Sequence, residues 1–339
     1  MLSRKSIVCD AVAAVAIGRN EGERLKRCLN SLIAQVGRVV YVDSGSSDDS
    51  VAFARSLGVE VVALDMTVPF TAARARNAGF AALMQDSPLP DHVQFVDGDC
   101  ALVDGWIDTA LAHIEAHPEL GLVTGWRSEI APQASIYNAM CDVEWHRPAG
   151  PITACGGDML VRRTAFQAVD GLNPTLIAGE DEEFCLRLAE AGWGLERLPL
   201  DMTRHDAAMT RFSQWWRRAV RAGHAFAQIG RMHPQHFRAE RRRVLLYGVI
   251  LPLFALAGLV MALSGAVLSG LLLMLAVLTA YEINWLRTAR GLMRDGLPGP
   301  EAMRHALLLT ISKFPNLIGA LTYHARRLQR RDMHLIEYK

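Results

Sequence analysis

From Val244 to Ile283 the chain runs 40 residues with a single charged side chain, Glu282. One bilayer crossing takes about 20 apolar residues, so this run is long enough for two. Ser264-Gly265 and Ser269-Gly270 supply the break between them. Arg241–Arg243 precede the run, and Arg287, Arg290 and Arg294 follow it. The positive-inside rule puts both flanks on the cytoplasmic face. The expectation is a transmembrane helical hairpin over residues 244–286, in a multi-pass protein of the cytoplasmic (inner) membrane whose remaining mass faces the cytoplasm.

The approach to the hairpin is basic. Residues 207–243 carry nine arginines against one acid, Glu240, although the whole chain balances 36 Lys+Arg against 35 Asp+Glu. Phe212, Trp215, Trp216, Ala219, Gly223, Phe226 and Ala227 recur at helical spacing within Thr210–Ile229, beside Arg217, Arg218 and Arg221. Rings at headgroup level and guanidinium groups on lipid phosphates are what a helix lying in a membrane interface needs, so 207–243 reads as a basic amphipathic interfacial region. After the hairpin, Ala306–Leu321 is apolar but contains Lys313 and Pro315, and Arg326, Arg327, Arg330 and Arg331 follow. A re-entrant or interfacial helix with a basic tail is expected over 287–339. A net charge near zero, with the arginines next to a membrane hairpin, argues against a nucleic-acid partner.

Residues 1–206 differ in character. Short β-rich runs (Val12–Ile17, Val39–Val42, Val59–Ala63, Val93–Val96, Leu122–Thr124) alternate with helical patterns (Glu21–Ala34, Ser47–Leu57, Thr71–Met84, Asp104–His117). That alternation specifies βαβ units, and hence an α/β domain with a mainly parallel central sheet. Arg4 and Lys5 before an apolar run imitate a leader peptide, but Asp10 interrupts the run and the Gly18-Arg19-Asn20-Glu21 turn follows it. A first buried strand is the better reading. The six cysteines (Cys9, Cys28, Cys100, Cys141, Cys155, Cys185) form no CxxC pair and read as reduced thiols.

In open α/β sheets ligands bind beyond the carboxyl ends of the strands. Gly18–Glu21, Asp43–Asp48 and Asp97–Asp99 all fall at such ends. An aspartate there can accept a nucleobase N–H, and Arg76, at a helix start, can face a diphosphate. Two carboxylates two residues apart, as in Asp97-Gly98-Asp99, can hold a divalent cation and a ribose hydroxyl. Such a cation neutralises a departing nucleoside diphosphate as a Lewis acid.

Six segments occur in order over roughly residues 12–206: Ile17-Gly18-Arg19-Asn20-Glu21, Val42-Asp43-Ser44-Gly45-Ser46-Ser47-Asp48, Ala75-Arg76-Asn77, Asp97-Gly98-Asp99, Gly156-Gly157-Asp158 and Gly179-Glu180-Asp181. In this ordered set the chain resembles the family 2 glycosyltransferases, with the Rossmann-like GT-A nucleotide-sugar-binding fold. The resemblance implies transfer of a sugar, with inversion, from a nucleotide-diphosphate donor, with Mn²⁺ or Mg²⁺ as cofactor. It implies that Asp43 contacts the base and that Glu21 and Arg76 line the nucleotide pocket. Asn20, Ser44, Gly45, Asp48, Gly98, Gly157 and Asp158 would complete that pocket. Asp97 would approach the ribose, Asp99 would bind the metal, and His205 would stand where some relatives supply an imidazole ligand. Asp181, with Glu180 beside it, would be the general base that takes the acceptor's proton.

Three features depart from the family pattern. Gly18 replaces a usual proline, Asp158 stands where relatives often have asparagine, and Gln214-Trp215-Trp216-Arg217-Arg218 lacks the Gln-x-x-Arg-Trp order of processive synthases. Transfer of one sugar is therefore expected, from a donor that the Asp43 arrangement inclines toward UDP. The expected acceptor is a membrane lipid or lipid-linked saccharide of exopolysaccharide, envelope or glycolipid assembly. A polyprenyl-phosphate sugar synthase and a catalytically inactive membrane scaffold are the alternatives.

Overall fold

The computed structural model describes residues 11–85 and 87–337. The Arg4–Lys5 pair, Asp10 and Cys9 lie outside the described residues. The chain divides between Met209 and Thr210 into two compact units.

The first unit is built on one sheet. β1 (Val12–Gly18), β2 (Arg38–Asp43), β3 (Glu60–Ala63) and β4 (His92–Asp97) are joined through α1 (Glu23–Ile33), α2 (Ser50–Ser56) and α3 (Ala72–Leu83). They pair in parallel in the order β3-β2-β1-β4. Alternation along β1 shows why: Val12, Ala14 and Ala16 enter one core with Leu25, Leu29 and Leu32, while Ala13, Val15 and Ile17 enter another with Phe95 and Met159. A strand buried on both faces is what a parallel sheet between helix layers requires. Leu25, Cys28, Leu29 and Leu32 form the apolar stripe of α1. Burying each of the three leucines stabilises the fold by about 1.5–3 kcal/mol.

Beyond β4 the sheet is mixed. After β5 (Cys100–Leu102) and α4 (Trp106–Ala116) come β6 (Leu120–Glu129), α5 (Ile136–Trp145), β7 (Gly150–Pro151), β8 (Met159–Arg162) and α6 (Arg163–Ala168). α7 (Glu180–Glu190) and β9 (Gly194–His205) complete the unit. The order continues β4-β8-β6-β9-β5, with β6 and β9 parallel and the remaining pairs antiparallel. β6 is longer than the short run Leu122–Thr124 indicates, and β9 runs beside it. Register shifts along their pairing let polar residues continue the ladder to Glu129 opposite His205.

The second unit is helical: α8 (Phe212–Met232), α9 (Arg238–Leu245), a π-helical turn at Leu246–Ile250, α10 (Leu251–Leu263), α11 (Val267–Arg294), α12 (Gly299–Ile311) and α13 (Lys313–Leu328). Two stretches, Arg238–Leu263 and Val267–Arg294, are long and apolar enough to cross a membrane. Their turn falls at Ser264–Ala266, at the first of the two Ser-Gly breaks. α8 departs from the expected interfacial stripe. Its Trp215, Ala219, Gly223 and Ala227 are buried, while Phe212 is 47% exposed. The reason is close packing on α13, where a Cβ on Gly223 or Gly319 would meet the opposing backbone at 2.0 or 1.9 Å. Ala306–Leu321 is likewise two helices, parted at Ser312, with Pro315 in the first turn of α13 where its missing N–H costs no intrahelical bond.

Candidate active site

The sheet register brings three loops together. Gly18 pairs with Asp43 and Ile17 with Asp97, so the turns after β1, β2 and β4 leave the sheet side by side. The first two lock each other. Asn20 Oδ1 accepts from Ser47 N at 2.7 Å, and Asp48 Oδ2 accepts from Gly22 N at 3.1 Å. Asp43 is 6% exposed; its Oδ2 accepts from Gly45 N and Ser46 N, and its Oδ1 from the Tyr41 hydroxyl. Ser44, fully buried, donates its N–H to Gly18 O. Gly45 has φ +84°, open to glycine at little cost. Asp43 thereby organises the turn that follows β2.

α3 delivers Arg76. Thr71 caps the helix by accepting from Arg74 N at 3.1 Å. Gly79 lets it approach β1 so closely that a Cβ there would stand 2.3 Å from Val15. Arg76, 2% exposed, then reaches Asp97 Oδ1 at 2.5 Å and Glu180 Oε1 at 2.8 Å. Burial alone would pull its pKa down; the two carboxylates outweigh that and hold it charged. Its guanidinium lies where a Cβ on Gly157 would be, 1.9 Å from Nη2, so any larger residue at 157 must push Arg76 aside. Asn77 clasps Leu172 through both amide atoms, tying α3 to the segment that leads into α7.

Asp97 has a second partner, Arg127, at 3.0 Å from Oδ2. Burial pushes its carboxyl up, but Arg76 and Arg127 more than offset this and keep it below the usual range. Asp158 is 1% exposed and fully engaged: Oδ1 accepts from Asp97 N and Arg127, and Oδ2 from the Thr203 hydroxyl at 2.7 Å. It therefore ties the Asp97 turn to Arg127 on β6 and Thr203 on β9.

Gly98 turns the chain tightly: a Cβ would stand 2.9 Å from Ile17 O and 3.3 Å from Glu21 Cγ, which lies against this turn. β5 then runs antiparallel to β9 with Cys100 opposite His205, bringing His205 Nε2 to 3.6 Å from Asp99 Oδ2. His205 Nδ1 is held at 2.9 Å by Glu129 Oε2, whose carboxylate also accepts from Ala207 N. Burial works against a charged ring here, yet Asp99 and Glu129 together raise the His205 pKa. Asp99, Cys100 and His205 place one potential ligand atom each within 4.8 Å of one another. Burial drives the Cys100 thiol pKa far upward, which leaves a carboxylate oxygen and an imidazole nitrogen. That donor set fits Mn²⁺ or Mg²⁺ completed by phosphate oxygens and water, and a carboxylate behind the imidazole is the usual support of a ligating histidine.

At the start of α7, Glu180 is spoken for by Arg76, while Asp181 accepts from Glu182 N at 2.8 Å. Burial first, and the Glu180 charge second, raise the Asp181 pKa to about 7. A base poised near neutrality suits proton abstraction from a hydroxyl.

All the site residues named from the sequence lie in the first unit, and of them Arg76, Asp158, Glu21 and His205 approach the Asp97–Asp99 turn. Arg127, Glu129 and Thr203 were missed. Charges two apart on a strand share a face, so Arg127 and Glu129 carried a signal had the β6 run been extended past its apolar part.

Residues 15–166 match the Glycosyl transferase family 2 model, and residues 139–211 match that of the N-terminal domain of galactosyltransferase. Over residues 15–166, a little under half of its length, the chain is thus similar to family 2 glycosyltransferases, and its first unit has a fold of the GT-A kind. It is 28% identical over 239 residues, 66% of this chain and 48% of the relative, to the pre-mycofactocin glycosyltransferase of Mycobacterium tuberculosis. The chain thus spans about half the length of that curated relative. An uncharacterized glycosyltransferase of Rickettsia felis is 42% identical over 53 residues, 16% of this chain and 19% of its own. In fold the chain is similar to the mannosyltransferase PcManGT of Pyrobaculum calidifontis, solved with GDP-Man and Mn²⁺. The TM-score is 0.55 at 17% identity, covering 95% of this chain and 88% of that one.

Proposed function

We propose that the protein is an inverting, metal-dependent glycosyltransferase that moves one sugar from a nucleotide-diphosphate donor, UDP-linked by preference, to a lipid or lipid-linked saccharide at the cytoplasmic membrane. The observation that carries this reading is that Arg76 touches both Asp97 and Glu180, the neighbour of Asp181, while His205 approaches Asp99 at the other end of the same turn.

Asp43 and the turn it organises would receive the base, and Asp97 the ribose. Asp99 and His205 would hold Mn²⁺ or Mg²⁺, which when bound neutralises the departing diphosphate. Arg76 keeps Asp97 ionised and fixes Glu180, so that the position of α7, and with it Asp181, is coupled to the donor loop. Asp181 takes the proton from the acceptor hydroxyl as that oxygen attacks the anomeric carbon from the face opposite the leaving group. For membrane attachment the support is the exposure of leucines along both long helices, among them Leu263 at 79% and Leu268 at 72%, with arginines at both ends.

The test is donor turnover by the full chain in detergent or nanodiscs, with Mn²⁺ or EDTA, across UDP-, GDP- and TDP-sugars and with bacterial lipid extract. The expected result is metal-dependent transfer from one donor to a lipid, lost in Asp99→Ala and Asp181→Asn. Failure to bind any nucleotide with metal present sinks the enzyme reading. Transfer only to water-soluble acceptors sinks the lipid one.

A further inference from the structure

Next to the Asp97 clamp lies a small pocket whose walls include Arg127, Trp145, Gly156, Asp158 and Arg197. Arg197, on β9, is 8% exposed. Its Nη1 donates to Pro148 O at 3.2 Å, and its Nε has no hydrogen-bond partner. Among the described residues no carboxylate lies within ion-pair reach of it, while Arg127 on the same wall is paired with Asp97 and Asp158. The neighbours of Arg197 are the thiols of Cys155 and Cys185, themselves 3.5 Å apart, and Arg147. A buried guanidinium without a counter-charge is a costly arrangement unless something else supplies the anion.

The second donor is the indole of Trp145. Its Nε1 is buried and also lacks a partner. The ring is held by Arg127, stacked at 4.7 Å, and by Gly156, where a Cβ would stand 2.8 Å from the ring. An arginine and an indole offer donors and no acceptor. Asp158 lines the same space, but both of its oxygens are engaged within the protein.

We propose that this pocket is a subsite for an anionic oxygen group, a carboxylate or phosphate, carried by one of the two substrates. Arg197 supplies the charge and Trp145 a second hydrogen bond. Its place fits the reaction. Arg127 joins it to Asp97, while Cys155 and Cys185 join it to α7, one turn along from Asp181. The group that enters is therefore attached to a sugar lying between donor clamp and base: the carboxylate of a hexuronosyl donor, or a phosphate next to the acceptor hydroxyl. This inference rests on the glycosyltransferase reading.

The experiment uses two ligand pairs that differ in the anion, UDP-glucuronate against UDP-glucose and a polyprenyl-diphosphate-linked sugar against the same sugar on an uncharged polyprenyl glycoside. Affinities are measured with Mn²⁺ for the full chain in nanodiscs, as wild type, Arg197→Gln, Arg197→Lys and Trp145→Phe. Wild type is expected to prefer the anionic member of one pair. Arg197→Gln should weaken that ligand about 10- to 150-fold, the span of a charge-assisted hydrogen bond, and alter its neutral counterpart less than about twofold. Arg197→Lys should recover part of the loss, and Trp145→Phe should weaken the same ligand about 3- to 10-fold. The affected pair identifies the source of the anion. UDP alone is the control: unchanged UDP affinity shows that each variant is folded, and a wild type that fails to bind UDP overturns the glycosyltransferase reading instead. With UDP bound, the subsite is overturned by a wild type without preference in either pair, or by equal losses for charged and neutral members.

Discussion

His205 gives its Nδ1 to Glu129 at 2.9 Å and turns its Nε2 toward Asp99, 3.6 Å away. The pairing follows from the sheet, since Glu129 and His205 are cross-strand partners on β6 and β9. One ring nitrogen is thus committed and the other is aimed at the carboxylate expected to bind metal. Removing the carboxylate behind a ligating histidine typically costs 10- to 100-fold in metal affinity. Glu129→Gln is accordingly expected to weaken Mn²⁺ binding in the presence of UDP by about that factor, followed by the loss of the free Mn²⁺ paramagnetic signal. An unchanged affinity would mean that His205 packs against the turn without ligating.

As the proposed base, Asp181 is expected to set the pH profile. With its pKa raised to about 7, the fraction of competent base grows as pH rises from 6 to 8, so the rate at low acceptor concentration should climb through pH 7 and then level. Asp181→Asn should remove the climb and lower kcat by about 10²- to 10⁴-fold.

The same shift has a sign for stability. The folded pKa lies above the ordinary aspartate value of 3.8, so the fold favours the protonated acid. That stabilisation is present below about pH 4 and is lost as pH rises through 7. Asp181→Asn lacks the ionisation. Its Tm advantage over wild type should therefore open between pH 4 and 7 and hold constant above, as thermal melts at a series of pH values would register.

Gly157 is occupied from outside: the Arg76 guanidinium fills the position of its missing Cβ at 1.9 Å. Gly157→Ala must displace Arg76 from Asp97 and Glu180 together. Overpacking of this kind costs about 1–3 kcal/mol, and here it also separates the donor loop from α7. The expected outcome is a lowered Tm with a fall in kcat of at least about 10²-fold; near-normal turnover in Gly157→Ala would show that the Arg76 bridge is dispensable.

The parallel half of the sheet was legible because buried strands such as Val12–Gly18 are nearly all apolar and are separated by amphipathic helices. The residues after β1, β2 and β4 were legible because strand ends collect function. Glu129 was not, because β6 keeps its ladder through the polar pair Ser128 and Glu129, held by Asp201, Asp142 and His205 from elsewhere in the chain. The anchoring of Asp158 was not legible for a related reason: it depends on Thr203, 45 residues on. The buried face of α8 depends on Gly223 meeting Asn316 on α13, a contact no local period reveals.

The hairpin carries the last prediction. Pro252 cannot donate, and Leu251 N bonds to Leu246 O in the π register, so Tyr247 O has no backbone donor in that register. The Tyr281 hydroxyl on α11 donates to it, and Asn284 and Trp285 hydrogen-bond Thr310 and Met303 O on α12. Polar groups tied between helices while leucines face outward is the arrangement a lipid-embedded bundle needs. Leu271 and Leu275 are 54% and 58% exposed, one turn apart on α11. A lysine near the centre of a spanning helix costs about 2.5–3.5 kcal/mol. The double variant Leu271→Lys/Leu275→Lys should therefore move a large share of the protein from the carbonate-resistant membrane pellet to the supernatant. Arg304→Lys, on α12, should leave the distribution unchanged. Retention of the double variant in the pellet would mean that these leucines do not face lipid.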